Sequence, residues 1–221
     1  MQCAGTEVTM EQKQFFDEQI LDMMKGTANL PENDGYRDGE VSEENQIHKG
    51  IKILGKWVYF ERRILTNEGI TMLMPEDFTE MTLEAAMKKY PSQHRPQTIF
   101  TDETGTVNLL FQYMEGEAGN ETIEHFRNQV FGMMRRVNPG IKQRELGVIE
   151  VSGKRIAYVE FSNPAMDGKL YNLMFYMESG GRPLMGSFNC LTKEMKYWRQ
   201  AAFDMVRSIE EEKEEAAGGG E

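Results

Sequence analysis

The sequence predicts an α+β protein. The expected architecture is an antiparallel sheet of about six to eight strands covered by helices, an α/β/α sandwich, with an N-terminal helical extension. Three observations lead there. Strand-like segments come in runs joined by tight turns, as in "VSGKRIAYV" and "MDGKLYNLM". Segments with apolar residues at helical spacing interrupt and close those runs. The first 49 residues hold one amphipathic segment followed by polar sequence that has no core of its own.

The elements follow in order. At "TMEQ", Thr9 and Gln12 form a capping box, and Phe16, Ile20, Met23 and Met24 then make one apolar stripe that Gly26 ends. From Thr27 to Lys49 the chain, including "PENDGYRDGEVSEEN", reads as a linker, so residues 1–49 form the extension. The sandwich domain is expected over residues 50–210. "KWVYFERRIL" and "GITMLMP" are strands joined by "TNEG". A short helix carries Leu83, Ala86, Met87 and Tyr90 and stops at Pro91, which cannot donate the next backbone bond. "QTIF" and "TVNLLFQYM" are strands joined by "TDETG".

A longer helix, capped by Asn120 or Thr122, lines Ile123, Phe126, Val130, Met133, Met134 and Val137 on one face and breaks at "NPG". Four hairpin-linked strands follow: "GVIEV", "KRIAYVEFS", "KLYNLMFYM" and "LMGSFNC". A closing helix bears Met195, Trp198, Ala202, Met205, Val206 and Ile209. The acidic, glycine-rich end "EEEKEEAAGGGE" should be frayed, with residues 211–221 a disordered tail.

Acidic residues outnumber basic ones by 36 to 25, a net charge of −11. Such a chain repels phosphate backbones, which disfavours nucleic acid and anionic membrane surfaces as partners. No segment has the apolar length of a membrane span, and the N-terminus lacks an apolar signal core, so a cytoplasmic location is expected. "MQCAG" supports an alternative, a lipid-anchored exported protein attached through Cys3.

Chemistry-bearing constellations are scarce. Cys190 stands where a strand turns into a helix, a place that can stabilise a thiolate. A nucleophilic cysteine also needs a base and an orienting group. The histidines are His48 in the linker, His94 in a connection and His125 beside the helix stripe. Phe188 and Cys190 share the phase expected to face the helices, so Cys190 reads as a small buried hydrophobe. No His or Cys pair has zinc-ligand spacing. "PENDGYRDGE" lacks the ligand order of a calcium loop. "SGGRP" is a hairpin turn and not a phosphate cradle. The cluster "KKYPSQHRP" offers Lys88, Lys89 and Arg95 to an acidic partner, but reads first as a solvated crossing. No cofactor, metal or catalytic residue is expected; a hydrolase would need carboxylates paired across a cleft.

The β-β-α-β-β-α-β-β-β-β-α order resembles the PsbP-like and Mog-type α/β-sandwich superfamily over roughly residues 50–210. The resemblance rests on four pieces: the early strand running into Met74–Pro75, the helix "NETIEHFRNQVFGMM", the hairpin "VIEVSGKRIAYVEF", and the aromatic-bearing last helix. It implies a binding protein without catalysis, in a group that includes bacterial lipoproteins and effector-associated chaperones. Those chaperones shield apolar segments of secreted toxins. The extension at 1–49 has no counterpart in that pattern.

A protein partner, or a second copy of the chain in a homodimer, is therefore expected. One strand phase is apolar (Val107, Leu109, Phe111; Ala157, Val159, Phe161; Leu173, Phe175, Met177) and should lie under helices. The other mixes Asn108, Gln112, Glu160, Asn172 and Glu178 with Leu110, Ile156, Tyr158, Leu170, Met174, Tyr176 and Met185. That mixture predicts a partner-binding groove at Leu110, Tyr158, Met174, Tyr176 and Met185, unless a helix covers it. Phe16 and Ile20 supply a second apolar surface for a partner. The 17 methionines suit adaptable contacts of this kind.

Overall fold

The computed structural model describes residues 46–66, 69–90, 95–165 and 168–211. The capping box and the stripe with Phe16 and Ile20 lie outside these residues, as do Cys3, Pro91 and His94.

A single turn of 3₁₀-helix, Ile47–Lys49, leads into a hairpin of β1 (Ile51–Ile53) and β2 (Lys56–Val58). Strands β3 (Phe60–Ile64) and β4 (Ile70–Pro75) follow, then β5 (Thr79–Glu80), α1 (Leu83–Lys89), β6 (Thr98–Thr101) and β7 (Asn108–Tyr113). The remainder is α2 (Ile123–Val137), β8 (Lys142–Val151), β9 (Lys154–Ala165), β10 (Gly168–Ser179), β11 (Arg182–Leu191), α3 (Met195–Arg207) and β12 (Glu210–Glu211).

Seven strands form one antiparallel sheet in the order β5-β6-β7-β11-β10-β9-β8, and β12-β4-β3 form a second sheet of three. The α+β architecture read from the sequence is the observed one. Three boundaries shift. "KWVYFERRIL" divides at Tyr59 into β2 and β3, because the first half pairs back onto β1 and the second onto β4. The tail begins in order and not frayed: Glu210 and Glu211 pair with Thr71 and Ile70. Ile47, N-terminal to the expected start of the domain at Gly50, is buried in the main core.

Both faces of the large sheet are covered. On one, Tyr171, Leu173, Phe175, Phe188 and Cys190 pack with α3 and β4. On the other, Ala157, Val159, Phe161, Met174, Tyr176 and Met185 pack under Ile123, Val130, Phe131 and Met134 of α2, while Leu110 lies under Ala86 and Tyr90 of α1. Helix α3 is enclosed almost all round; from Trp198 to Val206 only Gln200 is not fully buried.

The face assignment expected for β9 is corrected by register. Tyr158 stands opposite Phe175 and Val159 opposite Met174. Directly opposed residues share a face, so Ile156, Tyr158 and Glu160 join the α3 side and Ala157, Val159 and Phe161 the α2 side. Hydropathy could not choose between them, since both faces are buried.

Candidate functional site

The groove expected on the mixed face is closed. Leu110, Met174, Tyr176 and Met185 are buried under α1 and α2, and Tyr158 is buried on the opposite face. The large apolar groups there are packed by the middle helix, with Phe126 edge-on to Tyr176 at 5.9 Å between ring centres. Two of their polar neighbours pair within the sheet: Asn108 donates to Asn189 (3.0 Å) and Asn172 to Asn163 (2.7 Å), while the buried Gln112 Oε1 has no hydrogen-bond partner among the described residues. Lys89, the last residue of α1 and part of the mixed cluster, is engaged as well, donating to the Gly105 carbonyl and to Asn108 Oδ1.

Cys190 is fully buried opposite Tyr171. Burial pushes its thiol well above the ordinary range, with the Glu194 carboxylate adding to the shift. A thiolate is therefore disfavoured, the reverse of an activated nucleophile.

The buried ionic centre of the molecule is Glu160. Arg199 Nε and Nη2 donate to its two carboxylate oxygens at 2.8 and 2.6 Å, and the Tyr171 hydroxyl donates to Oε1 as well. Arg199 Nη2 also reaches Glu145 at 2.9 Å, and the Tyr158 hydroxyl donates to Glu145 at the same distance. Burial alone would lower the Arg199 guanidinium; the hydrogen bonds and charge of Glu160 overcome it and hold it above its usual range. Burial, then the hydrogen bond and charge of Glu145, raise Tyr158 to about 12. These two carboxylates meet at one guanidinium that occupies both, so the arrangement ties α3 to β8 and β9. Among the described residues, no group of three or more His, Cys, Asp or Glu is placed to hold a metal ion.

A run of exposed apolar groups lies at the β1–β2 hairpin and the residue after it, apart from single exposed groups such as Ile64 and Leu83. Trp57 is 62% exposed, Leu54 55% and Tyr59 53%. Trp57 and Tyr59 stack, with ring centres 6.4 Å apart and planes 17° from parallel. They share one face because strand residues two apart do, while Val58 between them packs on the core. Gly50, at φ 75°, makes room for the Tyr59 ring: a Cβ there would fall 2.8 Å from Tyr59 Cδ1. Lys52 stands directly opposite Trp57. Lys49, Lys52 and Lys56 are all exposed at this hairpin, Lys52 on the Trp57 face and Lys56, opposite Ile53, on the other.

The result is an aromatic ledge, seated on backbone and edged by cations, in an otherwise acidic protein. Trp and Tyr in such a setting offer large contact area at low entropic cost. The sequence contained a signal for it: Trp57 and Tyr59 alternate with Val58 and Phe60, and one of the two alternating pairs must turn outward.

A second, shallower feature is a cleft of about 380 Å³ beside α1, lined by Met81, Leu83, Ala86 and Ile99 together with Glu80, Arg95, Pro96 and Gln97. Among the described residues, no helix is long and apolar enough to cross a membrane.

No family model matches the chain, and no curated protein matches it. Solved structures do. The solution structure of cyanobacterial PsbP (CyanoP) from Synechocystis sp. PCC 6803 aligns with a TM-score of 0.52 at 12% identity, covering 69% of this chain and 92% of that one. LpqN, described as involved in cell envelope biogenesis of Mycobacterium tuberculosis, aligns at a TM-score of 0.44 and 12% identity, covering 69% and 91%. A Pseudomonas aeruginosa protein of unknown function aligns at 0.44 and 8%, covering 71% and 98%. The fold is thus PsbP-like, a likeness of architecture at identities too low to carry an activity.

Proposed function

We propose that this chain is a non-catalytic protein-binding module, an adaptor or chaperone that holds an amphipathic segment of a protein partner against the ledge. The observation that carries the reading is the stacked, exposed Trp57–Tyr59 pair seated on Gly50, with Lys52 directly opposite Trp57. Exposed aromatics cost solubility, and a strand hairpin needs no such pair on its outer face. An apolar stripe flanked by carboxylates is the complement of such a surface. The resemblance to effector-associated chaperones, which shield apolar segments of secreted toxins, makes a bacterial effector segment a fitting client.

A synthetic acidic peptide with Leu and Met on one helical face tests this, titrated calorimetrically against the full chain. Binding should weaken by at least about tenfold in Trp57→Ser/Tyr59→Ser, while the thermal unfolding midpoint stays near that of the parent. It should also weaken with rising salt, since the flanking contacts are screened. Equal affinity for the parent and the double variant would overturn the assignment.

A further inference from the structure

The chain carries, in its own N-terminus, a segment with the chemistry the ledge selects. We infer that residues 9–25 dock on the Trp57–Tyr59 ledge of the same molecule and so compete with an external partner; this rests on the reading of the ledge as a binding surface.

Three features support it. The sequence predicts an amphipathic helix there whose stripe includes Phe16, Ile20 and Met23, and a helix of that length is marginal unless its apolar face is covered. The charges match: residues 1–45 hold eleven carboxylates and three Lys or Arg, while Lys49, Lys52 and Lys56 are exposed at the hairpin; Arg62 and Arg63 beyond it are already paired with Glu210 and Glu61. The attraction of these opposite charges favours this occupant over a neutral one.

The third feature is reach. The backbone N–H of Gln46 donates to the fully buried Asp204 carboxylate at 3.1 Å, which fixes where the N-terminal segment leaves the domain. Gly50, four residues on, lies beneath the Tyr59 ring, so the ledge is within about 15 Å of Gln46. A polar linker of residues 27–45 has a root-mean-square span of about 25 Å. The tether is therefore matched to the distance, and the local concentration of the segment is on the order of millimolar. The docked segment would leave the ledge only to a partner that outcompetes it.

Hydrogen–deuterium exchange on the full chain tests the docking. Amides of residues 9–25 should exchange at least about tenfold more slowly than in a free peptide of the same sequence, at every protein concentration. That protection should vanish in Trp57→Ser/Tyr59→Ser. Carbodiimide should link carboxylates of the segment, Asp17 or Asp22 among them, to Lys52 within one molecule.

Free-peptide exchange rates in the parent chain would overturn the inference. So would protection that survives the double variant, or protection that appears only as a dimer forms, which would mean docking on a second copy. The synthetic acidic peptide separates this inference from the reading it rests on. If that peptide needs Trp57 and Tyr59 but residues 9–25 are unprotected, the ledge stands and the docking falls. If both hold, Phe16→Ser/Ile20→Ser should bind the peptide about tenfold more tightly than the parent.

Discussion

Cys190 illustrates how one residue's environment decides its chemistry. Its position before α3 suits a thiolate, yet it stands opposite Tyr171 and is buried in the core with Phe188. Burial, then the Glu194 carboxylate, raises its thiol well above the ordinary value of 9.0. The consequence for stability has a definite sign. Below pH 9 the thiol is protonated in both states and its contribution is complete. Above pH 9 the unfolded chain ionises while the folded one keeps its proton, so stability falls by about 1.4 kcal/mol per pH unit from this group. Cys190→Ala should flatten the loss between pH 9 and 10, read as the urea midpoint across that interval. An unchanged slope would place the titration elsewhere. Above pH 10 the buried Tyr90, Tyr171 and Tyr176, each raised by burial, prolong the loss in both proteins.

At the scale of elements, the strands are matched by pairs of aromatic and glycine. The Phe175 ring lies over Gly186 of β11, where a Cβ would fall 2.0 Å from Cζ. Tyr158 lies over Gly147 of β8, where a Cβ would fall 2.7 Å from the hydroxyl. That crossing brings the Tyr158 hydroxyl to Glu145. Neither glycine has a positive φ, so each is required for space and not for backbone freedom. Gly186→Ala should therefore destabilise by about 1–3 kcal/mol through overpacking, measured by denaturant unfolding. Phe175→Leu in the same chain should recover part of that loss. Additive effects would show that the ring and the added methyl do not compete.

At the scale of the whole molecule, polar links tie the layers together. Arg199 joins α3 to Glu160 of the large sheet, and Asp204 holds the incoming chain at Gln46. Lys154 bridges Glu178 of the large sheet and Glu211 of the small one at 3.0 and 2.9 Å. The Glu160–Arg199 pair is the most desolvated of these, with Glu160 fully buried. Glu160→Ala would remove the buried carboxylate that the guanidinium faces and should cost about 3–5 kcal/mol. Replacing both as Glu160→Met/Arg199→Met should cost much less, because no charge is stranded. Equal losses in single and double variants, by chemical denaturation, would show that packing and not charge dominates there.

Much of the architecture was legible in periodicity and punctuation. The α2 stripe, the hairpin turns at Ser152–Gly153 and Gly180–Gly181, and the α3 stripe each follow from local pattern, because a helix or hairpin is specified by residues near one another in the chain. The burial of Cys190 was legible for the same reason: it shares a phase with Phe188. The side taken by Tyr158 and Glu160 was not. Both faces of β9 are apolar enough to bury, and only pairing with β10 decides which meets α3. The closure of the expected groove over Met174 and Tyr176 depends on where α2 docks, a contact between distant segments that no local pattern encodes. The ledge is the intermediate case. Sequence determined that Trp57 and Tyr59 share a face; only the return of β2 onto β1, with Val58 drawn into the core, decided that this face meets water.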